Sequence, residues 1–484
     1  MSEILNLNPS ELWANFYALT QIPRPSKHEE KVVAYLVEFA KKHNLEYKVD
    51  EVGNIIMRKP ATKGMENRKG VILQAHVDMV PQKNNDKVHN FETDPIETRI
   101  DGEWVKANGT TLGADNGMGA AAAMTVLAST TLEHGPIEAL FTIDEETGMT
   151  GAFGLKSGEL NGDILLNLDS ETEGELYVGC AGGIDASITI DYATEAVPAG
   201  YCAYKLIVGG LKGGHSGMDI ILGRGNANKI LFRLLRWVAE CGIRLESIDG
   251  GSLRNAIPRE ASAVLVFPAE HKDCILKEFD KVAEAVAKEL EAVDGDFFMK
   301  YEAVEMPKAV MTEADTNRCI NLVYAAPNGV MRMSDSMPGL VETSLNMAIV
   351  KTDGSKMAIH SLLRSSVDSA KEDLAERLIC LAELAGGKCE LAGGYPGWKP
   401  NMKSPILTTM QATYNKLYGK EPKIMAIHAG LECGLFGTMY PNWDMISFGP
   451  TIMYPHSPDE KVNIASVGKF WDYLVETLKN IPVK

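Results

Sequence analysis

The 484-residue sequence lacks the long apolar stretches that mark membrane proteins. No apolar run approaches the roughly 20 residues that a helix needs to span a bilayer. The N-terminal stretch also lacks a basic segment followed by an apolar one, which a secretory signal would show. We therefore expect a cytoplasmic protein.

Paired cysteines and excess positive charge are missing as well. The eight cysteines form no Cys-x-x-Cys pair, which argues against a disulfide framework or a thiolate zinc site and favours buried, reduced thiols. A net charge of -17 argues against nucleic acid or an anionic membrane as a partner. The length favours about two domains.

The first third of the chain alternates short apolar runs with helical patterns, as an α/β sheet flanked by helices does. We predict strands at 71–73, 139–143 and 164–166, and an alanine-rich helix at 118–127. Asn8 is predicted to cap the first helix, and Ser26 to open a capping box with Glu29.

From about residue 188 the pattern changes. Amphipathic helices at 226–240, 276–290 and 367–384 alternate with strands, and a hairpin is predicted around Asp353-Gly354. We interpret residues 188–396 as an α+β domain inserted into an α/β domain formed by 1–187 and 397–484. A final helix is predicted at 464–478.

Acidic and imidazole side chains follow the predicted strands of the first domain. His76 and Asp78 come after the first strand, Glu145 and Glu146 after the second, and Asp169 after the third. Asp115 lies in a glycine-rich loop before a helix. Since sites form in the crevice beyond the carboxyl ends of strands in open α/β sheets, these side chains are candidate ligands.

Each of these residues also has an ordinary explanation. A histidine after a strand is usually hydrogen-bonded in the structure, an aspartate before a helix is usually a cap, and a Glu-Glu pair is usually a solvated turn. Together they favour a two-metal hydrolytic site. Gly-x-Ser-x-Gly is absent and no cysteine lies in a recognisable protease signature, so no Ser or Cys nucleophile is expected.

Several ordered motifs resemble the M20 metallopeptidases. Residues 74–81 (QAHVDMVP), 113–117 (GADNG) and 144–148 (DEETG) are similar to the signature blocks of that family. Residues 167–171 (NLDSE) and 428–434 (HAGLECG) narrow the resemblance to its aminoacylhistidine dipeptidase branch, and the resemblance runs over essentially the whole chain. It implies a zinc-exopeptidase-like α/β catalytic domain with an inserted α+β lid and dimerisation domain.

The resemblance also implies a metal centre. Asp115 would bridge two metals and be followed by a cis peptide bond. His76 and Asp169 would complete one metal, and Glu146 and His456 the other. Asp78 would orient His76, and Glu145 would be the general base. The implied cofactors are two divalent metal ions, with Zn²⁺ favoured and Mn²⁺ or Co²⁺ as alternatives.

Three residues of the inserted domain resemble substrate-binding groups of the family. His215 would help to hold the oxyanion in the partner subunit of a homodimer, Arg364 would pair with the substrate's C-terminal carboxylate, and Asn255 would add an amide contact. A tight turn around His215 and a surface salt bridge of Arg364 remain alternatives. His428 and Glu432 belong to the distinctive block but have no assigned role.

The implied activity is hydrolysis of small peptides, Xaa-His dipeptides including β-Ala-His among them. A related two-metal amidohydrolase, such as an N-acyl amino acid deacylase or a tripeptidase, is the main alternative. A non-catalytic binding dimer of the same fold is another. The sequence pattern alone does not derive a preference for C-terminal histidine.

Overall fold

The computed structural model describes residues 3–484, which divide into two units. The first comprises the chain up to Gly179 together with Pro400–Ala426 and Leu431–Lys484. The second comprises Cys180–Lys399 and Ile427–Gly430. The division into domains at 187–188 and 396–397 that we inferred from the sequence stays a prediction.

The regular elements are numbered here in chain order. The helices are α1 (Ser10–Thr20), α2 (Glu30–Lys42), α3 (Ala114–Ala128), α4 (Glu145–Gly148), α5 (Thr150–Gly154), α6 (Ala227–Val238), α7 (Lys272–Leu290), α8 (Glu313–Ala325), α9 (Asp368–Leu384), α10 (Pro405–Tyr418), α11 (Glu432–Met439) and α12 (Ile464–Lys479). The strands are β1 (Glu46–Val49), β2 (Ile55–Lys59), β3 (Val71–His76), β4 (Thr98–Asp101), β5 (Trp104–Ala107), β6 (Ile137–Thr142), β7 (Ile164–Asn167), β8 (Glu175–Cys180), β9 (Gly182–Asp191), β10 (Thr194–Ala196), β11 (Tyr201–Gly209), β12 (Gly214–His215), β13 (Arg244–Gly250), β14 (Ala256–Ile257), β15 (Ala261–Pro268), β16 (Phe298–Ala303), β17 (Ala309–Met311), β18 (Gly329–Met333), β19 (Val341–Asp353), β20 (Lys356–Ser365), β21 (Lys388–Tyr395), β22 (Lys423–Ile427), β23 (Asp444–Ser447), β24 (Ile452–Met453) and β25 (Lys461–Asn463).

The first unit is built on a mixed sheet with the strand order β1-β2-β6-β3-β7-β23-β8-β22. Strands β6, β3, β7 and β23 run parallel to one another. Every residue of β3, β6 and β7 is buried, as expected for central parallel strands that are covered on both faces. Parallel strands bring their carboxyl ends to one edge of the sheet. The α/β class predicted from the sequence is confirmed.

The second unit contains an antiparallel sheet with the order β16-β11-β15-β13-β19-β20-β9-β21, and β18 pairs with β19. Helices α6 to α9 pack against this sheet and share one apolar core with it. The predicted hairpin is present as the longer pair β19 and β20. Helix α7 begins at Lys272, four residues before its predicted start, and α6 ends at Val238 instead of residue 240.

Some local predictions were wrong. Pro9 is the N-cap of α1, so Asn8 does not cap it. Helix α2 begins only at Glu30, and the Ser26 hydroxyl donates to Asp78 Oδ2 at 2.8 Å instead of forming a capping box. Cys274 and Cys380 are exposed, not buried.

Candidate metal centre and substrate-binding residues

The structure brings five predicted ligands together in the first unit, in two groups that share Asp115. Asp115 Oδ1 lies 3.1 Å from His76 Nε2, which is also 3.3 Å from Asp169 Oδ1. Asp115 Oδ2 lies 3.2 Å from His456 Nε2, which is also 2.8 Å from Glu146 Oε2. The two oxygens of one carboxylate therefore face two different ligand groups, as a carboxylate that bridges two metals must.

The sheet explains how three of these side chains meet. His76 is the last residue of β3, Glu146 lies in the short helix α4 directly after β6, and Asp169 follows β7 by two residues. Asp115 lies at the kinked start of α3, and the peptide bond that follows it is cis, as the resemblance implies. His456 arrives on a loop after β24, with a positive φ of 58°.

A buried carboxylate oxygen of the second ligand group, Oε1 of Glu146, has no hydrogen-bond partner among residues 3–484. In the first group, the buried Oδ1 of Asp169 lies 3.3 Å from His76 Nε2. Leaving a buried charged acceptor unpaired is costly, and a cation satisfies it. One imidazole and two carboxylates in each group are the hard and borderline donors that zinc and manganese accept. The residues therefore fit a pair of divalent cations.

Asp78 contacts segments that carry residues of both ligand groups. Its Oδ1 lies 3.2 Å from His76 Nδ1, so the opposite ring nitrogen faces the ligand groups. The backbone N–H groups of Glu145 and Glu146 donate to the same carboxylate at 3.1 and 3.2 Å. Asp78, which is fully buried, thus fixes the imidazole orientation and the turn that carries the two glutamates.

Electrostatics inside the centre favour added positive charge. Burial raises the pKa of Glu145 well above its usual value, and it raises the pKa of Asp169 to about 6. Burial would lower the pKa of His76, but Asp169 and Asp115 outweigh it and raise that pKa well above 6.5. Hydrogen bonds to Asp115 and Glu146 raise the pKa of His456 to about 11. The carboxyl groups outnumber the cations that the chain provides.

Glu460 supports the bridging residue, although no sequence pattern selected it. Four consecutive backbone N–H groups, from Leu112 to Asp115, donate to its carboxylate at 2.7 to 3.2 Å. The side chain is 2% exposed. Glu460 therefore fixes the loop that carries Asp115, although the two residues are 345 positions apart in the sequence.

Arg24 is a second support that sequence reasoning missed. This buried guanidinium donates to the carbonyl oxygens of Val77 and Asp78 at 2.8 and 3.0 Å, and to that of Gly113 at 2.5 Å. It joins the segment after β3 to the loop before α3. Gly113 has a φ of 70°, and a Cβ atom there would lie 2.6 Å from the Arg24 guanidinium, so only glycine fits.

In the second unit, the tautomer of His215 is set by its own loop. The backbone N–H groups of Gly217 and Met218 point at His215 Nδ1, at 3.2 and 3.1 Å. That nitrogen is therefore the acceptor, and Nε2 carries the proton. Burial lowers the pKa of His215, which keeps the ring neutral. A neutral donor suits an oxyanion-binding role.

Arg364 is buried on β20, so the alternative of a surface salt bridge does not describe its environment. Its Nη1 lies 3.2 Å from the Tyr395 hydroxyl, and its Nε and Nη2 each lie 3.5 Å from Ser216 Oγ. These neutral neighbours leave the guanidinium charge available for an anion. The structure thus places Arg364 against the loop that carries His215.

Asn255 and His428 are close to the same loop. Asn255 is exposed, and its backbone carbonyl accepts from Ser216 N at 2.8 Å. His428 Nε2 lies 2.7 Å from Ser344 Oγ, and burial lowers the pKa of His428 to about 3. His428 is therefore a neutral ring beside the Arg364 charge.

The fold and the paired ligand groups define a metal-dependent hydrolase. A family model described as Peptidase family M20/M25/M40 matches residues 72–480. The chain belongs to this family and is a hydrolase that acts on peptide bonds.

Individual relatives agree with this assignment. The chain is 51% identical to the cytosol non-specific dipeptidase of Escherichia coli over 485 aligned residues, which cover 100% of both chains. It is 53% identical to the aminoacylhistidine dipeptidase of Vibrio alginolyticus, whose crystal structure matches with a TM-score of 0.96 over 100% of this chain and 99% of that one. A tripeptidase structure from Staphylococcus aureus matches with a TM-score of 0.56 at 16% identity, over 98% and 99% of the two chains, and shows the fold alone.

Proposed function

We propose that the protein is a dipeptidase that binds two divalent cations, with Zn²⁺ as the favoured metal, and hydrolyses small peptides, Xaa-His dipeptides including β-Ala-His among them. The observation that carries the proposal is Asp115, whose two carboxylate oxygens face His76 and His456 in separate ligand groups. The names of the two full-length relatives support the dipeptidase activity.

Five residues would hold the metals: His76, Asp115 and Asp169 for one, and Asp115, Glu146 and His456 for the other. Two cations bound there would polarise the scissile carbonyl and make a nearby water more acidic. Glu145 would take the proton of the attacking water on its carboxylate and pass it to the leaving amine. Burial raises the pKa of Glu145, which suits a group that must first accept a proton and then donate it.

His215 would stabilise the negative charge that develops on the carbonyl oxygen. Its Nε2–H is the donor, because Nδ1 accepts two backbone N–H groups. Arg364 would bind the substrate's free carboxylate through its guanidinium fork, and the Asn255 amide would add a polar contact. Recognition of a free carboxylate distinguishes an exopeptidase from an endopeptidase.

We also propose a homodimer formed through the inserted domain, in which His215 serves the active site of the partner subunit. The test is complementation between two inactive variants, Glu145→Ala and His215→Ala. Mixed dimers would contain one site with both substitutions and one site with neither, so mixing them under subunit exchange should restore activity. A mixture that stays as inactive as its components would contradict action across subunits.

A substrate panel tests the proposed activity. Ala-His, β-Ala-His, other dipeptides, tripeptides and N-acetyl amino acids should be compared at equal concentration, before and after chelation and with Zn²⁺, Mn²⁺ or Co²⁺ restored. We expect dipeptides to be cleaved fastest and chelation to abolish the activity reversibly. Turnover of N-acetyl amino acids alone would favour a deacylase, preference for tripeptides would favour a tripeptidase, and no turnover would favour a binding dimer.

The breadth of the substrate range is a separate question for the same panel. The E. coli relative is named non-specific and the Vibrio relative is named for aminoacylhistidine substrates. Comparing Ala-His with Ala-Ala and Ala-Leu separates these two specificities.

We propose a cytoplasmic location, which the name of the E. coli relative supports and cell fractionation would test. Within residues 3–484, no helix is long and apolar enough to cross a membrane.

A further inference from the structure

A row of buried polar side chains crosses the first unit's sheet near the carboxyl ends of its strands. Gln74 on β3 is paired in register with Asn167 on β7, and Asn167 with Ser447 on β23. The Asn167 amide donates to Gln74 Oε1, and the Ser447 hydroxyl donates to Asn167 Oδ1. Gln74 precedes His76 by two residues and Asn167 precedes Asp169 by two. The row therefore links β3, which carries His76, to β7, which leads to Asp169.

Glu432, the first residue of α11, ends this row. Its Oε2 accepts from Gln74 Nε2 at 2.6 Å and from the Thr142 hydroxyl at 2.9 Å. Thr142 is the last residue of β6, just before the turn that carries Glu145 and Glu146. Glu432 is 1% exposed. Its carboxyl is thus tied to the ends of two ligand-bearing strands.

The other oxygen of the Glu432 carboxyl indicates a role beyond these two hydrogen bonds. Oε1 of Glu432 is buried and has no hydrogen-bond partner among residues 3–484. A glutamine would make both hydrogen bonds equally well without burying a charge. Burial raises the pKa of Glu432 to about 8. The charge of His76 lowers this pKa, and the charge of Asp169 raises it. An ionised carboxyl at this position requires positive charge nearby.

We propose that Glu432 is a charge-balancing residue of the metal centre, held by Gln74 and Thr142 so that its carboxylate increases the affinity for the cations without contacting them as a ligand. This inference rests on the proposed two-metal function. Residues that surround a metal's own ligands typically change its affinity about 10- to 100-fold when they are replaced.

The test compares Zn²⁺ affinity with the stability of the metal-free protein at pH 8. Zn²⁺ binding is measured by competition with a chromophoric chelator, and stability by thermal unfolding. Glu432→Gln keeps the shape and the acceptor oxygen but removes the charge. We expect Zn²⁺ to bind at least about tenfold more weakly, while the metal-free melting temperature stays equal or rises, because a buried charge has been removed.

Matched variants separate charge from structure. Glu138→Gln changes another buried carboxyl at the opposite end of β6, which pairs with Arg58 at 2.9 Å, and it should leave Zn²⁺ affinity unchanged. Thr142→Val removes one hydrogen bond to Glu432 but keeps the charge, so its effect on Zn²⁺ affinity should be smaller than that of Glu432→Gln.

Two results would overturn the proposal. The first is a Glu432→Gln protein that binds Zn²⁺ as tightly as the wild type. The second is a Glu432→Gln protein whose metal-free form melts at a lower temperature while Thr142→Val weakens Zn²⁺ binding equally, which is the signature of a purely structural role. Failure of the wild type itself to bind Zn²⁺ would instead refute the proposed function.

Discussion

The two units present sites of opposite electrostatic character. In the first unit, buried carboxylates accumulate around His76 and His456, and Oε1 of Glu146 lacks a hydrogen-bond partner within the described residues. In the second unit, the buried Arg364 is held by hydroxyl groups and lies beside two histidines whose pKa values are lowered. We propose that the first site binds cations and that the second binds the anionic end of a substrate.

Charged side chains support both sites through backbone groups. Charged side chains, Asp78 and Glu460 among them, fix the metal-ligand segments through backbone N–H groups. In the second unit, the Asp219 carboxylate accepts from His215 N at 2.8 Å, backbone N–H groups donate to His215 Nδ1, and hydroxyls contact Arg364. We expect substitutions in the first unit to affect catalysis, metal binding and stability. In the second unit, we expect substitution of Arg364 to affect substrate affinity and substitution of His215 to affect catalysis.

The largest effect is expected at Glu145. Glu145→Gln removes the proton acceptor and should lower kcat by about 10²- to 10⁴-fold, the usual contribution of general acid-base catalysis. Metal content should be unchanged, since Glu145 is not a proposed ligand. Steady-state kinetics and metal analysis on the same sample check this. An unchanged turnover would refute the mechanism.

A smaller effect, in KM more than in kcat, is expected at Arg364. Hydrogen bonds to charged groups contribute about 1.5–3 kcal/mol, so Arg364→Gln should lower kcat/KM by about 10- to 150-fold at 1.36 kcal/mol per tenfold change. Dipeptide amides, which lack the C-terminal carboxylate, serve as control substrates and should be little affected. Equal losses for the amide and the free acid would show that Arg364 does not bind the carboxylate.

Glu460→Ala tests the support of the bridging residue. It leaves four buried backbone N–H groups without their acceptor, so the free energy of unfolding of the metal-free protein should fall by about 2–4 kcal/mol. Asp459→Ala, at the exposed neighbouring position, is the matched control and should change little. Denaturant unfolding measures both. Equal stability of the two variants would contradict the role assigned to Glu460.

The smallest effect is expected at Ser26. Ser26→Ala removes one hydroxyl donor to Asp78, which keeps its other hydrogen bonds, so we expect a loss of about 1 kcal/mol in stability. Ser10→Ala, at the exposed first residue of α1, is the control. A loss at Ser26 no larger than that at Ser10 would show that the hydroxyl does not stabilise Asp78.

The strand ends explain why much of the metal centre was predictable. His76 ends a buried strand, Glu146 and Asp169 each follow one, and parallel pairing brings such ends together. Asp115 was selected by its glycine-rich loop. His456 has no comparable signal, because it lies on an irregular loop, and only the resemblance to a family indicated it.

The supporting residues were not predictable for a physical reason. Arg24 and Glu460 act through backbone groups of segments 53 to 348 residues away, and such bonds leave no periodic pattern in the sequence. Ser26 was misassigned because its local capping pattern competes with a tertiary bond to Asp78. The fold class, in contrast, follows from the alternation of short apolar runs with helical patterns. That alternation is visible in the local sequence.

Metal stoichiometry tests the central claim most directly. Mass analysis under native conditions should find two divalent ions per chain in the wild-type protein and in Glu145→Gln, and fewer than two in Asp115→Ala, whose bridging carboxylate is missing. One ion per chain in the wild type, or two ions retained by Asp115→Ala, would contradict a centre in which Asp115 joins two ligand groups.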